Sequence, residues 1–461
     1  MENGKENKST FREGVVCIYP VAIALFGGLL CRFVPDSLQW IVSILLIIAA
    51  VASYLFYSKT GGCPVDLRAL LSLSWLFGLG LANLRLSNMH APWTDASILC
   101  FFGFYSIVML SYEALRFFPK KSSGDRPLTK EEGDRVSRAL FRLVVVTSGV
   151  SFLCFCLEAI KLRYIPLFAT FTHAYNYFHV TGLHYFTFSS MFTHALTVLY
   201  LLFTTSKPTS KQKRILILSN VLSFLIPILC ISKLQFLLIF FYPVMILLYR
   251  LRFRKFSDLP LKKIGITALC LSVALLLAGA AFTARRNYPE GYLEQIFDMK
   301  DPDMPAIGQI LYMYVSHNYA NFNHMTLNHT EHAHGLRSTF PLVALTGLKF
   351  MVPSLAPPDT DLIKKELSTL TVIYDAYFDF GIPGVLVFSV LVGLLFSGIT
   401  RLKDRKETSN PISLLMCAEL ALYAALSFFD TWFSNPTVWF WFAITILMYI
   451  YVEFQRRRGR S

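Results

Sequence analysis

The chain has 461 residues, 54% hydrophobic and only 16% charged, with a formal net charge of +14 and a positive mean hydropathy. That balance excludes a soluble multidomain protein. It does not describe a nucleic-acid binder either, because the basic residues fall between apolar runs, where they suit anionic lipid.

Apolar runs of about 17 to 22 residues are long enough to cross the hydrocarbon core as helices. They lie near 14–33, 39–57, 69–87, 96–115, 139–160, 186–204, 214–232, 234–250, 264–283, 381–400, 412–429 and 437–454. The expectation is an all-α polytopic membrane protein of about 12 transmembrane helices. With the N-terminus inside, the inner connections carry 31 of the 43 Lys and Arg residues and the outer ones 12. Cytoplasmic loops collect positive charge, so both termini are expected in the cytoplasm. The run 340–352 is expected to be re-entrant or interfacial, since a thirteenth span there would turn the basic segment 401–406 outward. No cleavable signal peptide is expected, because the first run is long and lacks a small-residue cleavage pattern. The nine cysteines form neither a disulfide framework nor a metal-ligand spacing.

The first four spans are joined by short segments and read as packing scaffold. The polar, breaker-rich segment 116–142 reads as a solvated cytoplasmic connection. After Glu158, a first outer loop over 161–185 carries Arg163, His173, Tyr175, Tyr177, His179 and His184. It fits an interfacial aromatic belt with snorkelling cations. It fits equally a shelf on which Arg163 meets phosphate and aromatic rings stack on sugars. Lys233, in the turn between the seventh and eighth spans, suits an interfacial anchor or a point charge facing a diphosphate.

The long polar interval 284–380 reads as a catalytic loop on the outer face. It opens with Arg285 and Arg286 and carries five of the ten histidines, His317, His324, His329, His332 and His334, then Arg337. After Pro305, Ile307, Ile310, Leu311 and Tyr314 form a stripe at helical spacing that continues as His317, Asn321, His324 and Asn328. The expectation is an amphipathic helix with one end in the membrane interface and the other facing a wet, sugar-filled cavity. His329, His332 and His334 have no established metal spacing, so a solvated loop is expected, with no metal and no cofactor.

These features, in this order, resemble the bacterial oligosaccharide repeat-unit polymerases, the O-antigen and capsule polymerases of the Wzy type. The resemblance spans roughly 158–393 and rests first on Arg163-Tyr-Ile-Pro-Leu-Phe and Gly182-Leu-His-Tyr-Phe after a middle span. It continues with Arg285 and Arg286 opening a long loop, Tyr319-Ala-Asn321-Phe322 within it, and Tyr377-Phe-Asp379-Phe-Gly381-Ile-Pro-Gly384 before a late span. It departs at Lys233, where the pattern has an arginine, which makes a phosphate contact there less bidentate.

The resemblance implies a GT-C-like glycosyltransferase in the bacterial cytoplasmic membrane, with its site facing the periplasm or exterior. It would transfer a growing glycan from undecaprenyl diphosphate to a new undecaprenyl-diphosphate-linked oligosaccharide repeat unit, releasing undecaprenyl diphosphate. Arg163, Lys233, Arg285, Arg286 and Arg337 would meet the diphosphate, whose charge grows as it leaves. Tyr319, Asn321 and Tyr377 would touch substrate. His317 or His324, then Asp379 or His184, would take the proton of the acceptor hydroxyl. Implied partners are membrane lipids, a chain-length regulator and a flippase. A lipid-linked glycan ligase would share the same donor. A flippase or other transporter would need charged residues along a path within the spans.

Overall fold

The computed structural model describes residues 3–115, 128–170, 174–250, 291–329, 331–406 and 408–458. The expected span at 264–283, together with His173, Arg285 and Arg286, lies outside the described residues. Among the described residues the regular structure is all helical, apart from one isolated antiparallel bridge between Ser87 and Met299.

The first half comprises α1 (Asn3–Phe33), α2 (Gln39–Gly61), α3 (Leu67–Asn83), α4 (Asp95–Ala114) and α5 (Lys130–Leu162). It continues with the short α6 (Ala174–Tyr177) and α7 (Leu183–Phe188), then α8 (Met191–Phe203), α9 (Ser210–Cys230) and α10 (Lys233–Arg250). The second half has α11 (Tyr292–Phe297), α12 (Ala306–Asn328), α13 (Phe340–Leu345) and α14 (Leu348–Met351) in the long loop. It closes with α15 (Tyr374–Lys406), α16 (Ile412–Ala425) and α17 (Pro436–Arg457). Among the described residues, nine helices are long and apolar enough to cross a membrane, and two shorter apolar ones, α3 and α16, accompany them. The chain is a multi-pass membrane protein, and these helices coincide with all the expected spans that fall on described residues.

Local signals set the boundaries. Capping boxes at Thr129 with Glu132 and Thr209 with Gln212 start α5 and α9. Asn435 caps α17, whose first residue is Pro436. The two short apolar helices form the centre. At 14 residues, α16 is about 21 Å long, less than the roughly 30 Å of hydrocarbon. It need not match the bilayer, because α3, α10, α15 and α17 surround it and residues 412–424 are all buried. The outer helices keep Leu25, Phe26, Ile44, Ile48, Leu153, Leu157, Leu447 and Ile450 exposed. So wide an apolar surface suits lipid rather than water. Where α15 crosses α4, a Cβ on Gly393 would lie 2.5 Å from the Val108 carbonyl, so a glycine there allows close approach.

The two ends of the bundle differ. One, the histidine end, gathers the connections after α1, α3, α5 and α16 with the long loop. It is stitched by Asn88 Nδ2 donating to Asp298 Oδ1 (2.9 Å), Thr94 N to Asn323 Oδ1 (2.9 Å) and Val372 N to Ser427 O (2.9 Å). The other, the basic end, holds the buried Arg68, which pairs with Asp66 (2.7 Å) and with Glu113.

The long loop contains one reversal of expectation. In α12, the apolar Ile307, Leu311 and Tyr314 are the exposed residues, whereas His317, Tyr319 and Asn321 are buried. Tyr319 packs on Trp75 (5.3 Å between ring centroids) and Phe322 on Phe101 (5.0 Å), and residues 316–323 are buried on every side of the helix. The run 340–352 does form no span: it makes the short α13 and α14, with Leu342, Phe350 and Met351 exposed.

Candidate functional site

The histidine end brings the two loops together over the start of α17. Tyr185 and Phe186 of the first loop pack on Phe440 (5.2 and 4.9 Å), and α13 of the second packs on the same helix. Lys349, in α14, bears electrostatically on His179 of the first loop. His179 is held below the ordinary histidine range by desolvation first, then by His184, with Lys349 adding to the effect.

His184 is the expected catalytic histidine with the best-defined surroundings. The carboxylate of Glu158, fully buried at the end of α5, accepts from His184 Nδ1 (3.1 Å), Val180 N (2.9 Å) and the Thr187 hydroxyl (2.7 Å). That hydrogen bond places the ring proton on Nδ1 and leaves Nε2 to accept one. The ring is 20% exposed and lies against His179 (4.8 Å) and Phe188 (4.2 Å), tilted to both. The geometry is that of a base oriented by a third group.

A second cluster surrounds Arg337. Its Nε donates to Asp375 Oδ1 (2.5 Å) and one terminal nitrogen to Pro358 O (2.7 Å), while the guanidinium lies 4.9 Å from the Phe378 ring. The side chain is 11% exposed, so its charge is already matched and it holds loops together rather than facing an open cleft. Asp379 is fully buried, and its two oxygens accept from the amides of Arg337 (3.2 Å) and Ser338 (2.7 Å). Both of its oxygens are thus engaged by the backbone. Nearby, burial first, and the charge of Asp375 as well, push Asp430 up to about 6.

A break in α15 creates this cluster's scaffold. Gly381 has φ 64° and ψ −151°, a region open essentially to glycine alone. The carbonyls freed there accept from Ala333 N (3.2 Å, to Phe378 O), His334 N (3.1 Å, to Asp379 O) and His332 Nδ1 (3.3 Å, to Phe378 O).

Several expected site residues are committed elsewhere. His317 is 1% exposed, its Nε2 donates to Leu367 O (3.1 Å), and burial pushes it down to about 4. Tyr319 donates to Trp75 O (3.1 Å) inside the bundle. Asn321 holds the segment 363–369, donating to Leu367 O (2.9 Å) and Thr369 O (3.1 Å) and accepting from Ile363 N (3.2 Å). In the structure these three groups are engaged by the protein itself, because α12 is buried on every side over residues 316–323. His324 pairs with Asp361 (3.3 Å) and is partly exposed. Tyr377 is mostly buried between Phe322 (5.3 Å) and His332 (6.2 Å). Arg163, in the left-handed conformation (φ 61°) at the end of α5, and Lys233, at the start of α10, are exposed.

Glu158, Lys349, Asp375 and Asp430 are the site residues that sequence reasoning left out. Only Glu158 carried a signal, as a carboxylate at a span end one loop away from a histidine pair. Among the described residues, no three His, Cys, Asp or Glu side chains are grouped to hold a metal. Comparison of the chain with family models, with curated proteins and with solved structures finds no match in any of the three.

Proposed function

We propose that the histidine end is the site of a glycosyltransferase that joins polyprenyl-diphosphate-linked oligosaccharide repeat units into a surface polysaccharide. In this reading the chain has twelve spans, one of them at 264–283, and the basic end is cytoplasmic. The histidine end then faces outward from the bacterial cytoplasmic membrane. The observation that carries the reading is the packing of both loops on α17, Tyr185 and Phe186 of one against Phe440 and α13 of the other against the same helix, with the Glu158–His184 pair in the first of them.

The chemistry follows from those groups. The acceptor hydroxyl oxygen attacks the anomeric carbon, the bond from that carbon to the diphosphate oxygen breaks, and the hydroxyl proton passes to His184 Nε2. Glu158 stabilises the imidazolium that results. Lys349 and Arg163 supply positive charge to the departing undecaprenyl diphosphate. Arg337 acts as a positioning residue through Asp375.

The test is chain extension of an authentic lipid-linked repeat unit by the purified protein in nanodiscs, followed on gels. The native protein is expected to give a ladder with chelator present, and His184→Asn to lower the rate by about a hundredfold or more. A ladder undiminished in His184→Asn would overturn the assignment of the base. No ladder from folded native protein would overturn polymerisation. One observation favours a transporter instead: Glu419 is fully buried within the bundle, where path residues of a transporter stand. Movement of lipid-linked oligosaccharide across proteoliposomes without chain extension would establish that reading.

A further inference from the structure

Glu419 lies midway along α16 with 0% exposure, and neither carboxyl oxygen has a well-formed hydrogen bond to a described residue. Among the described residues, no charged group from the surrounding α3, α8, α10, α15 or α17 acts on it. The polar groups that do are the Thr445 hydroxyl of α17 and the phenols of Tyr242 in α10 and Tyr423 one turn on. Tyr242 and Tyr423 hydroxyls and the Trp441 indole N–H, all buried, likewise have no well-formed hydrogen bond. An ionised carboxylate alone among these rings would cost several kcal/mol. The indole N–H is a donor only, which suits a carboxyl oxygen and opposes a metal cation.

This carboxyl is joined to the basic end by a polar file. Gln235, Tyr242 and Tyr249 stand seven residues apart on one face of α10, none more than 3% exposed. The Tyr249 hydroxyl donates to Cys417 O (3.3 Å), two residues before Glu419. Tyr249 also lines a cavity of about 50 Å³ with Asp66, Tyr112, Thr400, Lys403 and Asp404, which has room for a few water molecules.

We propose that Glu419 is a proton-binding site inside the membrane, loaded from the basic end through this cavity and Tyr249. A proton leaves water in the cavity, is handed on by the Tyr249 hydroxyl and then by that of Tyr242, the phenol beside Glu419, each giving up its own proton as it takes one, and binds the Glu419 carboxylate, giving the neutral acid; release retraces the same path.

Infrared spectroscopy of the full chain in detergent tests this. A protonated-carboxyl band that shifts in D₂O is expected in the native protein and is expected to vanish in Glu419→Gln. Glu419→Asp, which moves the acid without removing it, shifts the band and identifies it should the glutamine variant fold poorly. Tyr249→Phe keeps the band but slows its deuterium exchange by about tenfold, the cost of one lost hydrogen-bonded relay. Retention of every protonated-carboxyl band in Glu419→Gln would overturn the proton site. Loss of the band on adding sodium chloride at constant pH would replace it with a cation site. Native-like exchange in Tyr249→Phe would overturn the route.

Discussion

Acidification should loosen the histidine end, and two buried imidazoles set the size of the effect. His317 donates from Nε2 to Leu367 O (3.1 Å) and His90 pairs through Nδ1 with the Tyr312 hydroxyl (3.0 Å), while the second nitrogen of each has no hydrogen-bond partner among the described residues. Burial pushes His317 down to about 4 and His90 down to about 3, from about 6.5 in an unfolded chain. Below pH 6.5 the unfolded state binds the protons that the folded state refuses. Stability is therefore fully present above about pH 6.5 and is lost as pH falls toward 4 and then 3. Between pH 7.5 and 5.5 each histidine accounts for about 1.3 kcal/mol, so the pair accounts for nearly 3 kcal/mol. Thermal melting of the purified protein at those two pH values measures this directly. His317→Gln keeps an N–H for Leu367 O but does not titrate, so its change in stability between the two pH values should be smaller than the native one by about 1.3 kcal/mol. Equal pH dependence in the two proteins would refute the assignment of the effect to His317.

Asp379→Ala leaves the amides of Arg337 and Ser338 unpaired in a buried place, at about 2–4 kcal/mol; Asp379→Asn, which keeps one acceptor, should cost about half, and melting curves that rank them otherwise would count against the capping role. Asn321→Ala releases Leu367 O, Thr369 O and Ile363 N, so trypsin should cut at Lys364 or Lys365 about tenfold faster; an unchanged digestion rate would show that another contact holds the segment. Gly393→Ala drives a methyl group against the Val108 carbonyl and should destabilise the α4–α15 contact by about 1–3 kcal/mol, read as a lower melting temperature with the same helix content.

Run length and charge made the bundle legible before any coordinates. Each apolar run with described residues is a helix, because a backbone in hydrocarbon has few other ways to satisfy its amides. That 340–352 makes no span was legible from the charge on either side of it. The direction of α12 was not. Its polar and apolar residues alternate with helical spacing whichever face turns inward, and the choice depends on Trp75 and Phe101, more than two hundred positions away. A shorter gap, 38 positions, was enough to hide the partnership of Arg337 with Asp375. Glu419 was visible as a lone carboxylate in an apolar run, but nothing local distinguishes a buried face of a central helix from a face at the bundle's rim.

The gap in α15 at Gly381 makes two arrangements compete for the same acceptors. A continuous helix would return the Phe378 carbonyl to the amide of Ile382, and the loop at His332 and Ala333 would lose its anchor. The Asp379 carbonyl could not be reclaimed in that way, since Pro383 has no amide hydrogen, so one tether, from His334, survives either way. Position 381 thus acts as an exclusion rule: the span is unbroken or the histidine loop is fully docked, never both. A side chain there would also meet His332 Nε2 at 2.9 Å, which ties the identity of one residue in the span to the seating of a loop nearly fifty positions earlier.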